Sequence, residues 1–172
     1  MSSDRDVAFP TLTSAELQAL STRGTRRQVR TGEILYQEGD RDHSFFVVLE
    51  GAVEVLDNSR GAPHQLTVHH RGQFSGDVDL MSSRVTLVTG RVIEDGAVLQ
   101  LSIPELRRAV DEMPDLGDKI LKAFLMRRTL ILADGSGRQN HRLAVLSRGP
   151  PAPRLRQPKR DSHPLHGCGD RS

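Results

Sequence analysis

GEILYQEGDRDHSFFVVLEGAVEVL, Gly32 to Leu56, sets the character of the chain. Runs of Ile, Leu, Phe and Val only a few residues long are cut by glycines, the pattern of short strands joined by tight turns. Within it, Ser44 to Leu56 reads as a hairpin with Glu50-Gly51 at the bend, and Phe46, Val48, Val53 and Val55 are available to line one face. The same punctuation continues through Gly61, Gly72, Gly76, Gly90 and Gly96 as far as Ile103. Turn signals that frequent predict about eight short strands in a small antiparallel β-roll or barrel.

Helical signals flank the strand region. Leu12 precedes Thr13-Ser14-Ala15-Glu16, which reads as a capping box, with Leu12 and Leu17 placed as a hydrophobic staple. After the strands, Ser102 and Glu105 suggest a second capping box. Leu106, Ala109, Val110 and Met113 then recur at helical spacing. Pro114 ends that helix, and Leu116, Ile120, Phe124, Leu125 and Ile131 mark a longer one. The expected class is mainly β with flanking helices, one at the N-terminus and the rest at the C-terminal end.

The chain has 172 residues, room for one domain and an appendage. A single cysteine, Cys168, excludes a disulfide framework, a CxxC redox pair and a cysteine-based zinc site. MSSDRDVAFP has neither the basic nor the apolar part of a signal peptide, and no apolar run reaches membrane-spanning length, so the expected location is cytoplasmic with no membrane partner. The formal charge of +2 is unevenly spread: Arg138 to Ser172 carries +6, leaving Met1 to Gly137 at −4. The tail also holds five of the nine prolines and no aromatic residue, and reads as a disordered segment over 135–172 behind a domain of 1–134. An acidic body gives no footprint for nucleic acid.

No constellation of catalytic residues stands out: no Ser-His-Asp set in a supporting motif, no GxGxxG and no P-loop, so the chain does not read as an enzyme. His69-His70 is a poor metal pair because neighbours on a strand point to opposite faces. Arg127-Arg128, late in the last helix, reads as charge opposing the helix dipole. Phe45, Phe46 and Phe74 read as core, since aromatics make up only 3% of the chain. The remaining chemistry lies in GQFSGDVDLMSSRVTLVTGRV, Gly72 to Val92. A glycine-rich bend opening a short helix aims N–H groups at an anion, whereas the two aspartates there oppose one.

Together the two quoted stretches resemble the cyclic nucleotide-binding domain family, over roughly Phe9 to Ile131. The Glu38-Gly39-Asp40 turn, the Phe45-Phe46 strand and the glycine at Gly51 carry the likeness. The resemblance implies a jelly-roll-like β-roll and a cyclic nucleotide ligand, cyclic AMP or cyclic GMP, with no other cofactor. It implies that the second stretch is the phosphate-binding cassette, with Phe74, Ser75, Gly76, Asp77, Val78, Asp79, Arg84 and Val85 as ligand-binding residues. In the family this stretch reads Phe-x-Gly-Glu, then a small residue, then Arg-Ser/Thr. Here Asp77 is one methylene short, Asp79 adds a charge and Val85 lacks a hydroxyl. Gly76-Asp77 also reads as a turn and helix cap, and Arg84 as a surface charge paired with Asp77 or Asp79.

GDVDLMSS and ILKAFLMRRTLI are similar to sensor modules fused ahead of bacterial thioredoxin reductase-like flavoenzymes. That resemblance implies a flavoenzyme domain as partner in the parent protein, while a homodimer through the Leu116 to Ile131 helix stays open. The alternative is the sensor of a Crp/Fnr-type transcription regulator, although the tail prolines forbid a helix-turn-helix there. One codon choice for Arg138 to Gly149, read one base later, gives VKIIGSRFSRG, and Gln157 to Asp170 in the same shifted frame permits NRNGIPIHFTDVE. The first is like the segment that joins sensor to reductase in those fusions and the second like the early part of the reductase portion, so the tail is expected to be a frameshifted remnant.

Overall fold

The computed structural model describes residues 3–41, 44–59, 61–76, 78–82 and 84–134, with the backbone alone at 78, 79 and 131–134. The expected disordered tail, 135–172, lies outside the described residues.

Two capped helices open the chain. α1 (Asp4–Ala8) starts at a reciprocal box in which Ser3 N–H donates to Asp6 Oδ2 at 3.0 Å and Asp6 N–H donates to Ser3 Oγ at 3.3 Å. α2 (Ser14–Ser21) repeats the device, with Thr13 N–H donating to Glu16 Oε2 at 2.7 Å and Glu16 N–H to Thr13 Oγ1 at 3.2 Å. Leu12 is buried and Leu17 packs against the same core, as a staple requires. Only α2 was expected from the sequence. The Ser3 and Asp6 spacing is the signal for α1.

β1 (Thr25–Val29), β2 (Ile34–Tyr36), β3 (Phe45–Asp57), β4 (His64–His69) and β5 (Thr89–Leu101) form one antiparallel sheet in the order β1-β5-β3-β4, with β2 also pairing β5. The β-roll class is as expected, but the sheet does not close into a barrel, and the described residues hold five strands rather than eight. The difference is physical. β3 and β5 each run 13 residues and pair from Phe45↔Leu101 to Leu56↔Thr89. Glu50-Gly51 is therefore not the bend of a hairpin. It is a bulge inside one strand, facing Gly96 across the ladder. Gly51 has φ +82, and a Cβ there would lie 2.5 Å from the Glu94 carbonyl oxygen. A Cβ on Gly96 would collide with the Glu50 carbonyl. Two glycines back to back let both long strands turn the corner together.

The bulge also explains why the expected face survives the wrong connection. Phe46 and Val48 sit at even positions and Val53 at an odd one, which an unbroken strand would point to opposite sides. The extra residue between them resets the phase, and all three enter one cluster with Val29, Tyr36, Val92 and Val98 inside the roll. The opposite face of the sheet, through Phe45, Val47, Leu99 and Leu101, packs on the helices.

α3 (Val78–Met81) is one turn, and Leu80 is buried in that second layer. α4 (Ile103–Glu112) begins at Ser102, whose Oγ accepts from Glu105 N–H at 3.4 Å. The box is only half formed, because the Glu105 carboxylate turns to Arg108 at 2.7 Å and Arg23 at 3.8 Å. Pro114 opens α5 (Pro114–Asp134), where its missing N–H costs nothing. Leu116, Ile120 and Phe124 bury as expected, but Leu125 is 51% exposed. Five residues beyond Ile120 lies about 140° round the helix, so Leu125 leaves the stripe and joins Leu121 on the outer face. Among the described residues no helix is long and apolar enough to cross a membrane.

Candidate functional site

The segment from Gly72 to Gly76 is laced to the strand beside it. Gly72 N–H donates to Val48 O at 2.8 Å, Val48 N–H to Gln73 O at 2.9 Å, and Ser75 N–H to Phe46 O at 2.8 Å. Ser75 Oγ accepts from Phe46 N–H at 3.2 Å, so this buried hydroxyl is spent on the backbone. On the other side Leu12 N–H donates to Gly72 O at 2.8 Å and Gln73 Nε2 to Phe9 O at 3.0 Å, which ties the N-terminal segment to the same turn. The far end is fixed as well: Gly39 N–H donates to Thr86 O and Thr86 N–H to Asp40 O, both at 2.9 Å. The Glu38-Gly39-Asp40 turn therefore braces the chain just after Arg84-Val85.

Gly76 sits at φ +108. A Cβ there would come within 2.8 Å of Leu80 Cδ2 and 3.2 Å of the Phe124 ring, so a side chain would meet both strain and crowding. Phe74 is fully buried, with ring centroids 5.5 Å from Phe45 and 6.2 Å from Phe124.

Arg127 reaches into this aromatic nest from α5. It is only 5% exposed, its Nε donates to Ala8 O at 2.6 Å and its Nη1 to Gly76 O at 2.6 Å. Its guanidinium carbon lies 4.8 Å from the Phe74 ring centre and 5.0 Å from that of Phe9. The expected role opposing the helix dipole is corrected: the charge points sideways, tying α1, the cassette turn and α5 together. The sequence held a signal for this, since Ile120, Phe124 and Arg127 follow the i, i+4, i+7 rhythm of the buried stripe.

Beside Arg127 opens a cavity of about 230 Å³. Ser75, Gly76, Thr86 and Val88 wall it from the cassette side, Tyr36 and Val55 from the sheet, and Leu66, Thr67 and His69 from β4. Arg127 and Leu130 close it from α5, and Arg5 and Phe9 from the N-terminal segment. The volume falls just below the usual range for small-molecule pockets, about 300–1,000 Å³, and the mixture of apolar walls with few polar groups is typical of them.

Of the residues the sequence singled out, Ser75 and Gly76 line this cavity, while Phe74 lies behind it in the core. Val78 and Asp79 fall in α3, and Asp77 lies outside the described residues. Arg84 is exposed, Val85 is half-buried, and neither lines the cavity.

Sequence reasoning missed Tyr36, Arg127 and His69 as wall residues. His69 is 2% exposed, while His70 beside it faces out, the opposite orientation expected of neighbours on a strand. Burial, then the charges of Arg127 and His70, hold His69 well below the ordinary value of 6.5, so it is neutral near pH 7. Among the described residues no group of three His, Cys, Asp or Glu side chains could hold a metal ion.

Known proteins resemble this chain in sequence and in fold. The chain is 27% identical over 95 residues to a cAMP-dependent protein kinase regulatory subunit from Mycosarcoma maydis, covering 54% of this chain and 18% of that protein. It is 21% identical over 110 residues to Lysophospholipase NTE1 from Chaetomium globosum, covering 63% of this chain and 7% of that protein, so it spans a small fraction of either curated relative. Among solved structures, the Thermus thermophilus Catabolite Activator Protein superposes with a TM-score of 0.61 at 21% identity, covering 82% of this chain and 63% of that one. The global regulator CLP of Xanthomonas campestris gives 0.58 at 20% identity, with 78% and 66% covered. At such identities the structures speak for the fold alone. The profile of the "Cyclic nucleotide-binding domain" family matches residues 26–113, from β1 through the end of α4. By that match the chain belongs to the cyclic nucleotide-binding domain family.

Proposed function

We infer that the chain is a regulatory, non-catalytic sensor domain that binds a cyclic nucleotide, cyclic AMP or cyclic GMP, through a cassette weakened for phosphate. The observation that carries this reading is the cavity walled by the Ser75-Gly76 turn, whose wording resembles the family's phosphate-binding cassette. The relative from Mycosarcoma maydis is cAMP-dependent by name, which supports the ligand class. The weakening follows from residue types. If a second negative charge at Asp79 lay about 7 Å from a phosphate at an effective dielectric of about 20, it would cost roughly 2 kcal/mol, more than tenfold in affinity. Titration calorimetry with cyclic AMP and cyclic GMP tests both parts. Wild type should bind one of them weakly and Asp79→Ala about tenfold more tightly, while Arg84→Ala should lose what remains. No heat with either nucleotide in wild type and in Asp79→Ala would sink the reading.

The output is assigned to a parent protein of the thioredoxin reductase-like type, with the tail after Asp134 a frameshifted remnant and the chain at work in the cytoplasm. Reading the gene decides it: stops in the shifted frame beyond Gly137, or no dinucleotide glycines and CxxC there, would end that assignment. The second reading, a sensor of a Crp/Fnr-type regulator, is favoured by the regulators among the solved structures that share the fold. Pairing of two copies through Leu121 and Leu125, about half exposed on the outer face of α5, fits either parent.

A further inference from the structure

His69 presents a problem that the fold does not solve. Its backbone is satisfied in the ladder opposite Val53, but its Nδ1 is buried with no hydrogen-bond partner among the described residues. Buried polar atoms in native proteins almost always have partners, and one left alone costs stability. The ring stands in the cavity wall at β4, tilted 5.9 Å from the Phe9 ring, with the apolar surfaces of Leu66 and Val55 also lining the space. As placed, Nδ1 has no surface on the open space; a half-turn about Cβ–Cγ exchanges Nδ1 with Cδ2 and Nε2 with Cε1 within the same volume, and which ring orientation is adopted is set by the hydrogen bonds the nitrogens find. Leucine or valine in this place would have completed an apolar wall at no such cost.

The geometry points to His69 as a specificity-determining residue of the cavity, one that reads a hydrogen-bonding edge on a flat aromatic group of the ligand. This deepens the reading of the cavity as a ligand site, but it does not require the ligand to be a cyclic nucleotide. In a nucleotide the group concerned is the base. A neutral imidazole has one donor and one acceptor nitrogen, so it meets either an N–H or a ring acceptor. Burial beside the Arg127 charge keeps it neutral and therefore able to offer both.

Three bicyclic probes of nearly equal size separate this from a merely apolar pocket: indole, which donates, benzofuran, which accepts, and indene, which does neither. Dissociation constants are read by NMR titration of the full chain and of His69→Leu. Wild type should bind indole or benzofuran about fivefold or more tightly than indene, and His69→Leu should bind all three within about twofold of one another. Equal binding of the three by wild type, a preference that survives in His69→Leu, or no binding of any probe would overturn the inference. Melting without ligand gives the second test. His69→Leu should melt no lower than wild type, because it removes an unpaired buried nitrogen, whereas a loss of several degrees or failure to fold would make His69 structural and overturn the assignment. Silence from cyclic AMP and cyclic GMP with the probe preference intact would overturn the nucleotide reading and support this one.

Discussion

Arg127 in α5 and Arg84 in the stretch after α3 are two arginines placed in opposite ways. Arg127 is 5% exposed, committed to the carbonyls of Ala8 and Gly76, and wrapped by phenylalanine rings. Arg84 is exposed at the other end of the cassette, two residues before Thr86, which the Gly39 turn braces. A charge is buried only where fixed dipoles replace its water, so every bond Arg127 makes is part of the fold. The pairings of an exposed arginine contribute little to stability. One guanidinium is held inside the fold, and the other lies on the surface.

The sharpest way to break this contrast is to remove the buried member. Arg127→Ala should cost about 3 kcal/mol or more in urea unfolding, since it leaves two carbonyls without donors and opens the aromatic nest. Arg127→Lys should recover less than half of that, because an ammonium cannot span both carbonyls as a planar fork does. A cost under about 1 kcal/mol for Arg127→Ala would show that the clasp is ornamental. Next in size is Gly76→Ala, which puts a methyl against Leu80 and Phe124 at φ +108 and should destabilise by about 2 kcal/mol.

The pH profile sharpens the contrast from the side of the cavity. His69 in the folded protein stays neutral below 6.5, whereas in the unfolded chain it takes up a proton near that value. Its contribution is therefore fully present above about pH 6.5 and is lost as the pH falls below it, at up to about 1.4 kcal/mol per pH unit. His69→Leu should flatten that part of the curve, and an unchanged slope would remove the account of His69 as held neutral by burial and, after it, by the neighbouring charges. The smallest effect belongs to Arg84→Ala, expected within about 0.5 kcal/mol of wild type without ligand.

How far the sequence foretold this molecule depends on the range of the interaction concerned. The Thr13 capping box, the turns at Gly32, Gly39 and Gly72 and the alternation of Phe46 and Val48 are local patterns, and each appears in the structure. The two long strands were misread as shorter ones because a glycine looks the same at a turn and at a bulge. Only the partner strand decides, here through Gly51 meeting Gly96. The roles of Arg127 and His69 were obscured for a related reason. An arginine and a histidine carry no mark of burial by themselves, and the elements that bury them, α1 and the cassette turn for one and the cavity wall for the other, are distant in sequence. Carried three residues past Phe124, the helical rhythm reaches Arg127, a signal that the reading of Arg127 by residue type passes over.

Thermal unfolding with and without cyclic AMP or cyclic GMP tests most directly whether the cavity behind the cassette is a ligand site. One of the two, supplied at 100 times its dissociation constant, should raise the stability of the wild-type chain by about 2.7 kcal/mol, with an unrelated linear nucleotide giving no rise. Identical melting curves with both cyclic nucleotides up to millimolar concentration would contradict the account.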